Sequence, residues 1–166
     1  MRYSQLDQIT QLIPGEKLVA TRTLRPDEDY LRDHFPRFPV MPGVMMLEAL
    51  HQAAIWLVRA GDDFATPLVT LREARSVKFG DFLSPGETLE ITAELVKSVD
   101  DLVTVKARAT KGERTTVSAR LILQKTLSGD PERLGTDEFI RQATKWQFSE
   151  LFGSAVSAKA EPHSTT

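Results

Sequence analysis

Residues 44–60, VMMLEALHQAAIWLVRA, carry thirteen apolar side chains in seventeen positions. No other stretch constrains the fold as much. A helix this apolar has no broad polar face, so most of its circumference has to be buried. Pro42 lies near its first turn and Gly61 just after its end, the asymmetry expected at helix boundaries. The rest of the chain must supply the cover.

That cover is expected to be an antiparallel sheet. Residues 17–24 form a strand candidate after a Pro14-Gly15 turn, and residues 68–79 read as extended. Residues 87–99, 102–110 and 115–125 alternate well enough for strands. Asp100-Asp101 and Lys111-Gly112-Glu113-Arg114 fall where hairpin turns belong, and Ser84-Pro85-Gly86 makes a further turn. Short connections imply antiparallel neighbours. Residues 25–43 hold Pro26, Pro36, Pro39 and Pro42, so they form a long loop rather than a regular element. The order is strand, loop, buried helix, then a strand-rich half. This is an α+β fold in which a curled antiparallel sheet wraps around one long central helix.

Residues 1–126 make up this domain, and residues 127–153 are expected to add a C-terminal helical extension. Asp130-Pro131 suggests a short helical turn. Thr136 reads as an N-cap, with Asp137 and Glu138 in the first turn. Phe139, Ile140, Ala143, Trp146 and Leu151 recur at helical spacing, and Gly153 stops the pattern. Phe139, Trp146, Phe148 and Phe152 are read as packing residues. Such a helix needs a surface: a sheet edge, a second subunit, or a substrate tunnel. Residues 154–166 are small and polar, as in a disordered tail.

Net charge is -2, which gives no reason to expect nucleic acid or an anionic membrane as partner. Cysteine is absent, which fits a reducing compartment. The first residues show no signal-peptide core, and the expected setting is a soluble protein of the cytoplasm. Zinc-ligand spacings and phosphate loops are missing from the sequence, and no metal or cofactor is called for.

The apolar helix keeps four polar residues, Glu48, His51, Gln52 and Arg59. At about 100° per residue they fall within one arc of roughly 100°. A polar stripe commonly faces water, but this one is narrow and contains a carboxylate on an otherwise apolar helix. Fourteen residues earlier stands His34, in a loop stiffened by Pro36, Pro39 and Pro42. Between them lies Gly43. A backbone N–H at a helix start has no intrahelical partner, and without a side chain an oxygen can approach it closely.

The run from His34 to Gln52, HFPRFPVMPGVMMLEALHQ, resembles the signature of beta-hydroxyacyl acyl-carrier-protein dehydratases of the FabZ type, which have the hotdog fold. Lys78-Phe79 followed by Ser84-Pro85-Gly86-Glu87-Thr88-Leu89 is similar to a second block of that family. Leu6-Asp7-Gln8-Ile9 with Pro14-Gly15-Glu16-Lys17 resembles its opening strand, without the usual N-terminal helix. The likeness spans roughly residues 5–125. It implies that His34 and Glu48 are the catalytic pair, that the Gly43 N–H binds the thioester oxygen, and that Gln52 supports the acid. It implies substrates carried on acyl carrier protein or coenzyme A. It also implies a homodimer whose histidine and acid come from opposite subunits, alone or as a trimer of dimers. Glutamate at position 48 is similar to the plain dehydratase; the related dehydratase-isomerase carries aspartate.

The residue types fit that chemistry. Removing water from a beta-hydroxyacyl thioester takes a base for the alpha proton, an acid for the departing hydroxyl, and a donor for the enolate-like oxygen. An imidazole is suited to the first task near neutral pH. Protonating an ordinary glutamate at pH 7 costs about 3.7 kcal/mol, and burial is what favours the neutral form. An acid in an apolar helix has a use on this account. Phe38, Val44, Met45 and Phe79 are candidates to line an acyl channel.

Four features depart from the family's pattern. Asp33 and Arg37 replace glycines around His34, Gly80-Asp81 replaces a basic pair, and His51 replaces a small residue. Arg37 suits either a crowded entrance or a carrier phosphate, and Arg72, Arg75 and Lys78 are the other basic candidates. Two further functions compete: a non-catalytic hotdog subunit that binds acyl chains or a partner dehydratase, and a hotdog acyl thioesterase. Hydrolysis needs no histidine at this spacing.

Overall fold

A computed structural model describes residues 3–126 and 134–153. Six strands form one sheet: β1 (Gln8–Ile13), β2 (Lys17–Thr23), β3 (Leu68–Phe79), β4 (Thr88–Val99), β5 (Leu102–Lys111) and β6 (Arg114–Thr126). Their order is β1-β2-β4-β5-β6-β3, and every pairing is antiparallel. Helix α1 (Gly43–Gly61) touches β2, β3, β4, β5 and β6. The sheet therefore curls around the helix, as the apolar circumference required. A second helix, α2 (Leu134–Phe152), follows the sheet.

Small side chains make room for the helix. Ala93 on β4 pairs in register with Leu18 on β2 and Ala107 on β5, and Ala107 pairs with Ala119 on β6. All four are buried. Alanine is a poor strand former, but a row of them lowers the floor of the trough. Above it lie Met46, Ala49, Leu50, Ala53, Ala54 and Leu57 of α1. Leu50 is fully buried, and removing most of its side chain leaves a cavity that packed strands cannot close. Leu50→Ala should lower unfolding free energy by about 3 kcal/mol, which denaturant titration would measure directly.

The strands begin and end within a residue or so of their expected limits. β1 is the exception, since its residues carried a family likeness but no periodic signal. Only Ile9 is buried in it, and a register shift between Ile9 and Gln11 breaks the alternation. The Pro14-Gly15 turn joins β1 to β2, with Gly15 at φ +73°, a conformation that suits glycine. The other correction concerns Thr136. Helix α2 starts at Leu134, so Thr136 sits inside the first turn rather than capping it. Gly135, a weak helix former, hides that start from the sequence. Gly153 at φ +62° ends the helix, and its N–H donates to Ser149 O (3.2 Å). The turn expected at Asp130-Pro131 and the tail expected over 154–166 lie outside the described residues.

Helix α2 packs against the edge strand β1 and the C-terminal part of α1. Phe148 lies 5.8 Å from Trp56, 5.2 Å from Phe64 and 5.3 Å from Phe152, measured between ring centroids. Covering a sheet edge is thus one thing this helix does. Phe148 and Phe152 pack as expected, whereas Phe139 and Trp146 are exposed. At the opposite edge, β3 runs twelve residues with most side chains exposed. No helix among the described residues is long and apolar enough to cross a membrane.

Candidate active site

His34 sits in a loop that its own backbone ties down. Its N–H donates to Tyr30 O (3.0 Å), and its carbonyl accepts from Val40 N (3.1 Å). Phe35 and Phe38 exchange backbone hydrogen bonds, closing the bend between them. The imidazole Nδ1 lies 3.0 Å from Val40 O. A carbonyl only accepts, so Nδ1 must carry the proton of the neutral ring. The other nitrogen, Nε2, is then the one that can take a proton. This tautomer is fixed by geometry that the sequence did not display.

The anchor beneath the loop is a buried ion pair. Arg22, 2% exposed, sends Nη2 to both oxygens of Glu28 (2.6 and 2.7 Å). Tyr30 O–H donates to the same carboxylate, and Tyr30 O in turn receives the N–H groups of Asp33 and His34. Burial pushes Glu28 toward the neutral form, but the hydrogen bonds from Tyr30 and Arg22 outweigh it and hold the carboxyl below its usual range. Burial, reinforced by the Glu28 carboxylate, pushes the Tyr30 hydroxyl well above the usual tyrosine value. Sequence reasoning missed these three residues. One signal existed: Leu18, Ala20, Arg22 and Leu24 share one face of a period-2 strand, so Arg22 stands among inward-facing residues.

Gly43 is the first residue of α1, and no side chain caps that helix end. The Gly43 and Val44 N–H groups therefore have no intrahelical acceptor. A Cβ on Gly43 would come within 2.9 Å of the Phe79 ring, so the absence of a side chain lets Phe79 close over the helix start. Phe38, Val44 and Phe79, three of the expected channel residues, are more than half exposed, as are Phe35 and Phe82. Phe38 meets Phe82 edge to face at 5.8 Å, and Phe35 stacks on His34 at 4.3 Å. Met45 is partly buried against the core. The helix start and the histidine loop thus carry an exposed apolar collar.

Glu48 lies five residues along α1, about 7.5 Å further along the axis. Gln52 Nε2 donates to its Oε1 (2.8 Å), and His51 Nδ1 lies 3.1 Å from its Oε2. Gln52 is itself fixed: its Oε1 accepts from Gln5 N (2.8 Å) and its Nε2 also donates to Tyr3 O (3.0 Å). Gln52 thus holds the Glu48 carboxylate by one hydrogen bond. The Glu48 side chain is 43% exposed in the single chain. All four polar residues of α1 are partly buried, and the N-terminal segment and α2 flank Gln52 and Arg59. Among the described residues, no hydrogen bond links Glu48 to His34 within one chain.

The departures from the family's pattern have structural consequences. Asp81 pairs with Lys111 (3.4 Å) and Arg114 (3.8 Å) of its own chain. Arg75 pairs with Glu73, and Arg72 donates to the neutral amide oxygen of Gln124. Arg37 stays exposed beside the histidine loop.

The ApeI dehydratase family model matches residues 10–120. The FabZ 3-hydroxyacyl-(acyl-carrier-protein) dehydratase of Levilactobacillus brevis is 35% identical over 116 residues, covering 70% of this chain and 78% of that protein. The FabZ of Oenococcus oeni is 34% identical over 123 residues, covering 73% and 88%. In three dimensions the chain resembles the dehydratase heterocomplex ApeI:P of Xenorhabdus doucetiae, with a TM-score of 0.62 at 16% identity over 80% of this chain and 89% of that one. A hypothetical thioesterase from Streptococcus pneumoniae, solved with coenzyme A, gives 0.57 at 14% identity over 72% and 87%. Since a thioesterase shares the fold, the fold alone does not choose the reaction; the sequence relatives and the matched family do. The chain belongs to the ApeI-like dehydratases, hydro-lyases built on the hotdog fold.

Proposed function

We propose that this dehydratase acts on beta-hydroxyacyl thioesters carried by acyl carrier protein and yields trans-2-enoyl products for a lipid or polyketide pathway. The observation that carries this reading is the lock of His34 Nδ1 on Val40 O, which directs a basic Nε2 toward substrate. Nε2 takes the alpha proton. The carbon–oxygen bond to the beta hydroxyl breaks, and Glu48 protonates the departing oxygen to give water. The electron pair left at the alpha carbon forms the new double bond. The Gly43 N–H holds the thioester oxygen while negative charge builds on it, a contact worth on the order of 3 kcal/mol in comparable sites. Afterwards the proton on His34 returns to Glu48 and restores both groups.

The working unit is a homodimer, with His34 of one chain facing Glu48 of the other. Three features support it. Glu48 is exposed where a proton donor needs water excluded. The apolar collar of Phe38, Val44, Phe79 and Phe82 stands open. The β3 edge is long and carries exposed Leu68 and Leu71. A second chain across these faces dries the acid and completes the channel.

Incubation with a beta-hydroxyacyl acyl carrier protein, following enoyl product and free acid together, tests the reaction. Enoyl product lost in His34→Ala and in Glu48→Gln is the expected result. Free acid without enoyl product would make the protein a thioesterase. Saturable binding without turnover would make it a non-catalytic partner subunit.

A further inference from the structure

We propose that a second cavity, separate from the His34 loop, binds a small amphipathic monocarboxylate through Arg59. The cavity lies between α1, α2 and the N-terminal segment, with a volume of about 950 Å3. That is ample for a small ligand. Ile55, Trp56, Trp146 and Leu151 supply apolar walls. Gln52 also lines it and bonds Glu48 on the other side, so the cavity adjoins the acid without containing it.

Arg59 is the unexplained group. Arg59 lines the cavity, and its guanidinium carbon rests 5.4 Å from the Trp56 ring centroid. Its Nε is buried and has no hydrogen-bond partner among the described residues. Burial works against its charge, and Asp62 offsets this only through space. A buried donor left unpaired is costly, and Asp62, whose Oδ1 is likewise buried without a partner among the described residues, does not bond it; a carboxylate seated on the guanidinium from the cavity side would supply the missing acceptor. A carboxylate fits the planar fork. The other charged lining residues, Arg25, Asp7 and Glu150, add one cation and two anions. With Arg59 included the wall has no net charge, which suits a monoanion better than a phosphate. The apolar walls then call for an apolar body behind the carboxylate.

The protein's two tryptophans, Trp56 and Trp146, both line this cavity, so intrinsic fluorescence reports on it selectively. The full chain is titrated with decanoate and with decanol below their aggregation limits. Saturable tryptophan changes are expected for both, with decanoate at least about tenfold tighter, the ratio expected for a hydrogen-bonded charge. Arg59→Met should abolish that preference while decanol still binds. Trp146→Ala should weaken both. The titrations are repeated in His34→Ala, where an unchanged result separates this cavity from the proposed reaction, whatever that variant does to turnover. No saturable change, or equal affinities in the unmodified chain, would overturn the proposal. So would a preference that survives Arg59→Met. A preference that appears only in Glu150→Gln would make Glu150 the counterion of Arg59 and would also overturn it.

Discussion

Mixing His34→Ala and Glu48→Gln chains, each inactive alone, is expected to restore about one quarter of the unmodified activity if a twofold dimer shares its sites. In a mixed dimer, one site receives both altered residues and is dead. The other receives an intact His34 from one chain and an intact Glu48 from its partner, and works normally. Random exchange puts about half of the chains in mixed dimers, each with half of its sites active. The single variants should each lose roughly 10² to 10⁴ in kcat/KM, the range for acid–base assistance. Their folding should be little changed, because His34 bonds only within its loop and Glu48 is partly exposed. Mass spectrometry of the mixture establishes that mixed dimers have formed. Verified mixed dimers with no recovered activity would place both groups of each site on one chain, and the exposed face of α1 would then need another explanation.

The candidate catalytic residues were legible because His34, Gly43 and Glu48 fall within fifteen consecutive positions, and one loop leading into one helix determines their order. The central helix was legible from its composition alone, since its apolar circumference demanded a wrapped sheet. Other features escaped for physical reasons. The proton on His34 Nδ1 depends on where the carbonyl of Val40 points, and only the folded loop sets that. The exposure of Glu48 depends on which side of α1 the sheet leaves open. β1 hid because a register shift breaks its alternation. The cavity at Arg59 brings together residues near positions 5, 55 and 148, and no local pattern relates them.

Glu28→Gln is expected to destabilise the fold by about 3 kcal/mol and to release the histidine loop, because the substitution leaves the buried guanidinium with only the longer ion pair to Asp7 (3.8 Å). Arg22 is 2% exposed, and both Glu28 oxygens serve it. A neutral amide offers Arg22 a single oxygen and no charge. That single oxygen must now serve both Arg22 and the Tyr30 hydroxyl, and Tyr30 O holds the His34 N–H. Hydrogen exchange should therefore quicken across residues 28–41 more than in β4 or β5, and kcat should fall although no reacting group was altered. The acid response gives an independent check. The Glu28 carboxyl sits below its usual range in the folded protein, so its contribution is fully present above the unfolded glutamate value of about 4.3. It is lost as pH falls through the lower folded value. Stability of the unmodified chain should thus decline below about pH 4.5, and Glu28→Gln should show a shallower decline there. Replacing the pair together, Arg22→Met with Glu28→Leu, should recover much of the lost stability, since an apolar pair of similar size leaves no charge stranded. It should not recover the rate, because Glu28→Leu leaves the Tyr30 hydroxyl without its acceptor. Recovery of both would mean that the ion pair supports the fold without positioning His34.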